Sequence, residues 1–254
     1  MEKDIVPALL ELIEKEFDEK TRNSEVVKRA IEDLTNKKAT YKDANEFAIE
    51  IGVILSGVLN THITVETLPD GRMYFNIADR VMNSTMQKNY DLITGYAIDV
   101  QTELNRSAGL KLKVQKPKLN QSRIDGIVER LSTSEDFEEI KWILDEPIKN
   151  FNQSIVDDTV KANMDFHAKA GLKPKITRVV VGNCCDWCRE IAGTYNYGDE
   201  PQDVYRRHRY CRCRVEYSPG DGKIQDAHTK EWVDPDREAK IEERKKIGLR
   251  SSRG

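Results

Sequence analysis

Cysteine is absent from residues 1–183 and again from 214–254, so all five thiols of this 254-residue chain fall between Cys184 and Cys213. That confinement excludes a disulfide framework distributed through the fold. No run of eighteen apolar residues occurs, so no helix of membrane-spanning length is expected. The opening residues, Met1-Glu-Lys-Asp, lack the apolar core of a secretory leader. The expectation is a protein without a membrane anchor, kept in a cytosol where thiols stay reduced and favour metal over disulfides. Aromatic residues are scarce at 7% and apolar residues reach only 38%, against 33% charged. A core is expected, with much exposed helix surface or interface around it.

The net charge of -3 conceals an uneven distribution. Residues 120–166 carry eleven acids and five bases, whereas 244–254 carry five bases and no acid. Such asymmetry suits docking on other proteins and contact with nucleic acid.

Three helices are expected first. Ile5, Leu9, Leu12, Ile13 and Phe17 mark one; Val27, Ala30, Ile31 and Leu34, after the N-cap pair Asn23-Ser24, mark the second. Tyr41, Ala44, Phe47, Ala48, Ile51, Ile54, Leu55 and Val58 mark the third. Alternation over residues 63–67, turn chemistry at Pro69-Asp-Gly71 and a return run 73–77 predict a β-hairpin. A helix over about 78–104 follows, then a short strand at 110–114. The acidic stretch reads as a long helix with Phe137, Ile140, Leu144, Ile148, Phe151, Ile155, Val160 and Met164 on its apolar side. Pro147 is expected to kink or break it. After Gly171 the character changes. Residues 175–181 read as a buried strand, 215–217 as another, and 224–232 as a closing hairpin around Pro219-Gly-Asp-Gly222. From Asp234 a charged helix and basic tail are expected. The fold class is therefore α+β and mainly helical. A helical region spans 1–170, a small Cys/His-rich α+β module 171–233, and a charged end 234–254.

The thiols are ordered. Cys185-Asp-Trp-Cys188 supplies C-x-x-C, and His208-Arg-Tyr-Cys211-Arg-Cys213 supplies H-x-x-C-x-C about twenty residues later. A strand, a tight turn bearing two thiols and a helix start is what a tetrahedral zinc site asks of a sequence. Cys185, Cys188, His208, Cys211 and Cys213 are the candidate ligands, five for four places. Cys185, Cys188 and Cys211 are favoured, with His208 or Cys213 as the fourth; Cys184 is expected to face the core. So rich a donor set favours a closed structural site over a catalytic one. A nucleobase deaminase would need H-x-E before P-C-x-x-C, which is missing. A thiol enzyme would need Cys185 with His208 and an oxyanion hole. A ββα nuclease would have only His228 near Asp226. A metal-dependent nuclease, or a toxin-like enzyme acting on nucleic acid, is the alternative reading. His62 and His167 stand alone and read as structural.

Arg206, Arg207, Arg209, Arg212 and Arg214 surround the second ligand run. Guanidinium forks match phosphate and carboxylate alike. Tyr205, Tyr210 and Tyr217 interleave and offer stacking. These arginines can meet DNA or an acidic protein surface, or pair with the acidic helices of this same chain.

The pattern resembles the conserved region of phage minor head proteins of the Mu F-like, head morphogenesis family. That region has a strand, a C-x-x-C followed by Gly, an acidic stretch and a His/Cys run ending C-R-C. Here it reads Val181-Gly-Asn-Cys-Cys-Asp-Trp-Cys-Arg-Glu-Ile-Ala-Gly193, then Asp199-Glu-Pro201, then His208-Arg-Tyr-Cys-Arg-Cys213. Arg209 stands where the family often has Pro. The resemblance covers roughly residues 174–217. It implies a virion protein of few copies inside the capsid near the portal, acting in head assembly or DNA packaging and ejection. It also implies the portal and other head proteins as partners, with homo-oligomers and double-stranded DNA as further ones, and the host cytoplasm as the place of assembly.

Overall fold

The computed structural model describes residues 4–182 and 184–219, with the backbone of 224–225 and 232–233. Helix α1 (Val6–Asn23) starts with Pro7 in its first turn, where the missing N–H costs nothing, and buries Val6, Leu9, Ile13 and Phe17. Ser24 caps α2 (Glu25–Thr35), its hydroxyl accepting from Val27 N–H at 3.3 Å. The Asp43 carboxylate caps α3 (Tyr41–His62) by accepting from Thr40 N–H at 2.7 Å. Leu12 and Ile31, expected on the apolar stripes, stay exposed at their margins.

Helix α3 is buried on several sides, against α1, α2, the long α4 (Phe75–Ser107) and α7 (Glu146–Lys169). Its sequence explains this, since apolar residues ring most of its circumference. Phe47 stacks on Tyr96 of α4 with centroids 4.5 Å apart.

The expected hairpin at 63–77 is not formed. Ile63, Leu68 and Met73 are all buried against the helices instead of alternating across a sheet. Thr67 makes its own turn, its hydroxyl accepting from Thr64 N–H and donating to His62 O, both at 2.9 Å. Pro69–Gly71 is a 3-10 turn, with Asp70 and Gly71 in the left-handed region, as its turn chemistry predicts. The return run is the start of α4. An isolated two-stranded hairpin has marginal stability, and three separate apolar anchors into a helical core outcompete it. Residues 110–114 form no strand either. The Asn163 side chain takes a strand's place at Gln115, accepting from its N–H at 2.8 Å and donating to its carbonyl at 3.0 Å.

The acidic stretch is broken into pieces. Helix α5 (Gln121–Thr133) precedes the short α6 (Phe137–Ile140) and a 3-10 turn Lys141–Leu144. Pro147 sits in the first turn of α7, so the expected interruption falls just before it. Phe137, Leu144, Ile148, Phe151, Ile155, Val160 and Met164 are buried as the periodicity predicted.

Beyond α7 lies a three-stranded antiparallel sheet in the order β2-β1-β3, formed by β1 (Lys175–Val179), β2 (Gly193–Asn196) and β3 (Arg214–Ser218). The five-residue α8 (Asp186–Glu190) interrupts the connection from β1 to β2. Ile176 pairs across to Tyr195 and Tyr217, and Arg178 to Gly193 and Val215. Ile176, Val215 and Tyr217 join the same apolar core as the helices, so the sheet is laid on α3 and α7. Further on, β4 (Ile224–Gln225) pairs antiparallel with β5 (Trp232–Val233), so 224–225 pairs forward with 232–233 and not back around the Pro219–Gly222 turn as expected. The charged helix expected from Asp234 lies outside the described residues.

The α3–α7 contact yields a paired prediction. A Cβ on Gly52 would come within 2.9 Å of Asn152 Nδ2 and 3.0 Å of the Lys149 backbone, whereas one on Gly57 meets nothing within 4 Å. Both glycines lie inside α3, where alanine gains roughly 1 kcal/mol of helix propensity. Gly57→Ala should therefore stabilise by up to about 1 kcal/mol. Gly52→Ala should destabilise, because overpacking costs about 1–3 kcal/mol and outweighs that gain. Urea unfolding of the two variants checks the opposite signs; equal stabilisation would contradict the close helix contact.

Candidate metal centre

The first half of the site follows β1. Cys185 stands at the N-cap position of α8, and Cys188, one turn later, is fully buried. The second half is the loop before β3. Cys211 N–H bonds to His208 O at 3.1 Å, and Tyr210 adopts a left-handed backbone, φ 64°, that closes this tight turn. The two halves meet face to face. His208 Nε2 lies 3.3 Å from Cys185 Sγ and 3.0 Å from Cys188 Sγ. Cys188 Sγ lies 3.8 Å from Cys211 Sγ. Cys188 belongs to two groups of three donors, one with Cys185 and His208, the other with Cys211 and Cys213. All five predicted ligands therefore come together, and the cluster can hold a metal ion. Cys184 is half-buried against it and is in neither group.

The donor chemistry fits a metal. Two thiolates each about 2.3 Å from a tetrahedral zinc stand about 3.8 Å apart, the spacing of Cys188 and Cys211. His208 Nδ1 faces the carbonyl of Arg209 at 2.5 Å. A carbonyl only accepts, so Nδ1 carries the proton and Nε2 offers its lone pair to the thiols. This is how an outer-shell acceptor orients a ligating imidazole. Burial pushes the Cys188 thiol up, and hydrogen bonding to Cys213 together with burial pushes Cys211 up to about 12. The Cys211 contact draws Cys213 down. Left to themselves, Cys188 and Cys211 keep their protons at neutral pH; a metal displaces them and supplies the charge that thiolates need.

What the sequence did not reveal is how the second ligand loop is held. Glu146, Asn150, Gln153 and Asp157 are spaced four, three and four along α7, and all are buried. Every one of them grips the loop. Asn150 Nδ2 donates to His208 O at 3.1 Å. The Gln153 amide, turned to suit both neighbours, donates to Cys211 O at 2.9 Å and accepts from Arg207 at 3.3 Å. Asp157 receives both arms of Arg207, at 2.6 and 2.8 Å, and Glu146 receives both arms of Arg212, at 2.9 and 3.1 Å. Arg207 also donates to Cys213 O at 2.6 Å. A polar helical stripe usually means a solvated face; this one is a buried rail for the loop.

The arginines accordingly divide. Arg207 has a side chain 1% exposed and is no surface contact for DNA, contrary to one of the two expectations. Arg212 is committed to Glu146, and Arg214 to Glu216 at 2.6 Å. Pairing with the chain's own acidic helix, the other expectation, holds for Arg207 and Arg212. Arg206 is exposed, with Asp203 at 3.5 Å. Arg209 is exposed and lies 4.7 Å from the Trp142 ring centroid, and Arg130 lies 5.1 Å from the same ring. Of the interleaved tyrosines, Tyr217 is buried against His167 and Tyr205 half-buried, its hydroxyl directed at Met164; Tyr210 is exposed. His62 meets Glu16 at 2.5 Å and His167 sits in the core, structural positions both. Asp226 and His228 lie outside the described residues.

Comparison of the chain with protein-family models, with curated proteins and with solved structures returned no match in any of the three.

Proposed function

We propose that the chain is a structural protein of a phage head, a minor capsid protein near the portal acting in assembly or in DNA packaging and ejection. In this reading its small sheet module is closed by one zinc ion. The observation that carries the reading is the convergence of C-x-x-C and H-x-x-C-x-C on one site, locked to a helical body by α7. Those residues are the ones on which the resemblance to Mu F-like head proteins rests. A helical body with a stapled module has the makings of an adaptor that docks on other proteins. Zinc is the metal that suits three thiolates and one imidazole in a closed tetrahedron. Cys185, Cys188 and His208 form the shell with Cys211 or Cys213, and single Cys→Ser variants at 211 and 213 tell which. Its work there is structural: it pins the β1–α8 turn to the loop before β3.

Tandem mass spectrometry of purified particles tests the assignment. The chain should copurify with intact heads at a few copies per particle. Its absence from heads that contain portal and major capsid protein would overturn the reading. For DNA, Arg206, Arg209 and Arg130 are exposed cations around the second ligand loop and Trp142. If they meet phosphate, binding weakens steeply with salt, and Arg209→Ala lowers the slope of log K against log salt by about one. Binding with an unaltered slope would remove Arg209 from that contact.

A further inference from the structure

Arg178 differs from the other arginines around the site. It is the largest side chain of the core and is 2% exposed, on the inward face of β1 beside Ile176. Arg207, equally buried, is matched by the Asp157 carboxylate. Among the described residues, Arg178 pairs with no carboxylate. Its Nη1 donates to Val204 O, its Nη2 points at Cys211 Sγ at 3.5 Å, and its guanidinium lies 5.6 Å from the Trp187 ring centroid. Among the described residues its Nε finds no hydrogen-bond partner. A guanidinium stays charged inside proteins, and a buried charge without an opposite one is costly. The groups beside it that can turn negative are thiols.

From this we propose that Arg178 is the outer-sphere counter-charge of a metal–thiolate centre, the residue that sets the site's affinity for a divalent soft metal. The proposal rests on the metal reading above. A divalent ion held by three thiolates and a neutral imidazole carries one net negative charge, and Arg178 cancels it. The N–H directed at Cys211 points at a sulfur that the ion would hold. Without the ion, the same guanidinium is a buried cation that no carboxylate among the described residues matches. Metal and arginine thus each relieve the cost of burying the other. Arg178 acts through the ligands and is a positioning residue.

This coupling predicts a reversal of sign, which packing or a carbonyl hydrogen bond alone would not produce. In the full-length chain, Arg178→Met should lower zinc affinity tenfold or more, the loss typical of outer-shell partners. Competition with a chromophoric chelator reads that loss. The variant's thermal midpoint should fall below wild type when both are zinc-loaded. It should equal or exceed wild type when both are stripped by chelator. Arg178→Lys and Arg178→Gln serve if the methionine variant does not fold. Both can hydrogen-bond, but only lysine keeps the charge, so lysine should hold zinc more tightly than glutamine. A midpoint lowered equally with and without zinc, at unchanged affinity, would overturn the counter-charge and leave the metal site standing. Wild-type chain that takes up no zinc would remove both.

Discussion

Cys188→Ser should abolish metal binding and loosen the whole ligand region. Cys188 is the one donor common to both groups, and it is fully buried. Its serine counterpart would leave the remaining thiols and His208 without a shared ion. A metal bound at a thousand times its Kd stabilises the folded state by about 4 kcal/mol. For a chain of this size that corresponds to a fall of roughly 8–16 °C in Tm. A chelator added to wild type should give the same fall, and Cys188→Ser should be insensitive to chelator. Hydrogen exchange should locate the loosening in 180–192 and 205–213, while helices α1 to α4 keep their protection. The body survives because its core does not run through the metal. If chelation instead unfolded the helices, the ligand loops would be part of the main cooperative core.

Arg207→Met is the second. Arg207 and Asp157 are 1% and 2% exposed, and the substitution leaves a carboxylate buried and unpaired. Breaking such a pair from one side costs about 3–5 kcal/mol. It also strips Cys213 O of its donor and Gln153 of a neighbour, so the ligand loop should lift from α7 and metal affinity should drop with stability. Asp157→Asn should cost a similar amount by leaving the buried guanidinium without an opposite charge. Combining Arg207→Met with Asp157→Leu removes both charges and should recover a good part of the loss, because hydrophobic replacements of buried pairs come near to neutral. A double-mutant cycle in urea measures this. Additive losses in the double variant would mean that the two side chains are not energetically coupled.

The helices were legible because burial on one side leaves a period. Phe137 to Met164 repeats at three and four, and Pro147 marks a boundary that any backbone must respect. The ligand set was legible because soft donors are rare in this chain and are concentrated in one short stretch. The hairpin at 63–77 was misread because alternation over five residues also arises when single apolar side chains plug a helical core from a loop. The rail on α7 went unseen for a related reason. Glu146, Asn150, Gln153 and Asp157 are polar, and polar residues at helical spacing look solvated until a partner is placed on them. The signal was present as complementarity between an acidic helix and an arginine-rich loop, with Arg207 50 residues from Asp157 and Arg212 66 from Glu146. Composition alone leaves that complementarity equally open to DNA, and only the burial of Arg207 decides for the chain's own carboxylate.

Elemental analysis of chain purified without chelator tests the central claim most directly. The proposed zinc site predicts about one zinc per chain, with Cys185, Cys188 and His208 protected from modification until the metal is withdrawn. Protein free of metal, whose five cysteines all titrate at once in the native state, would contradict it.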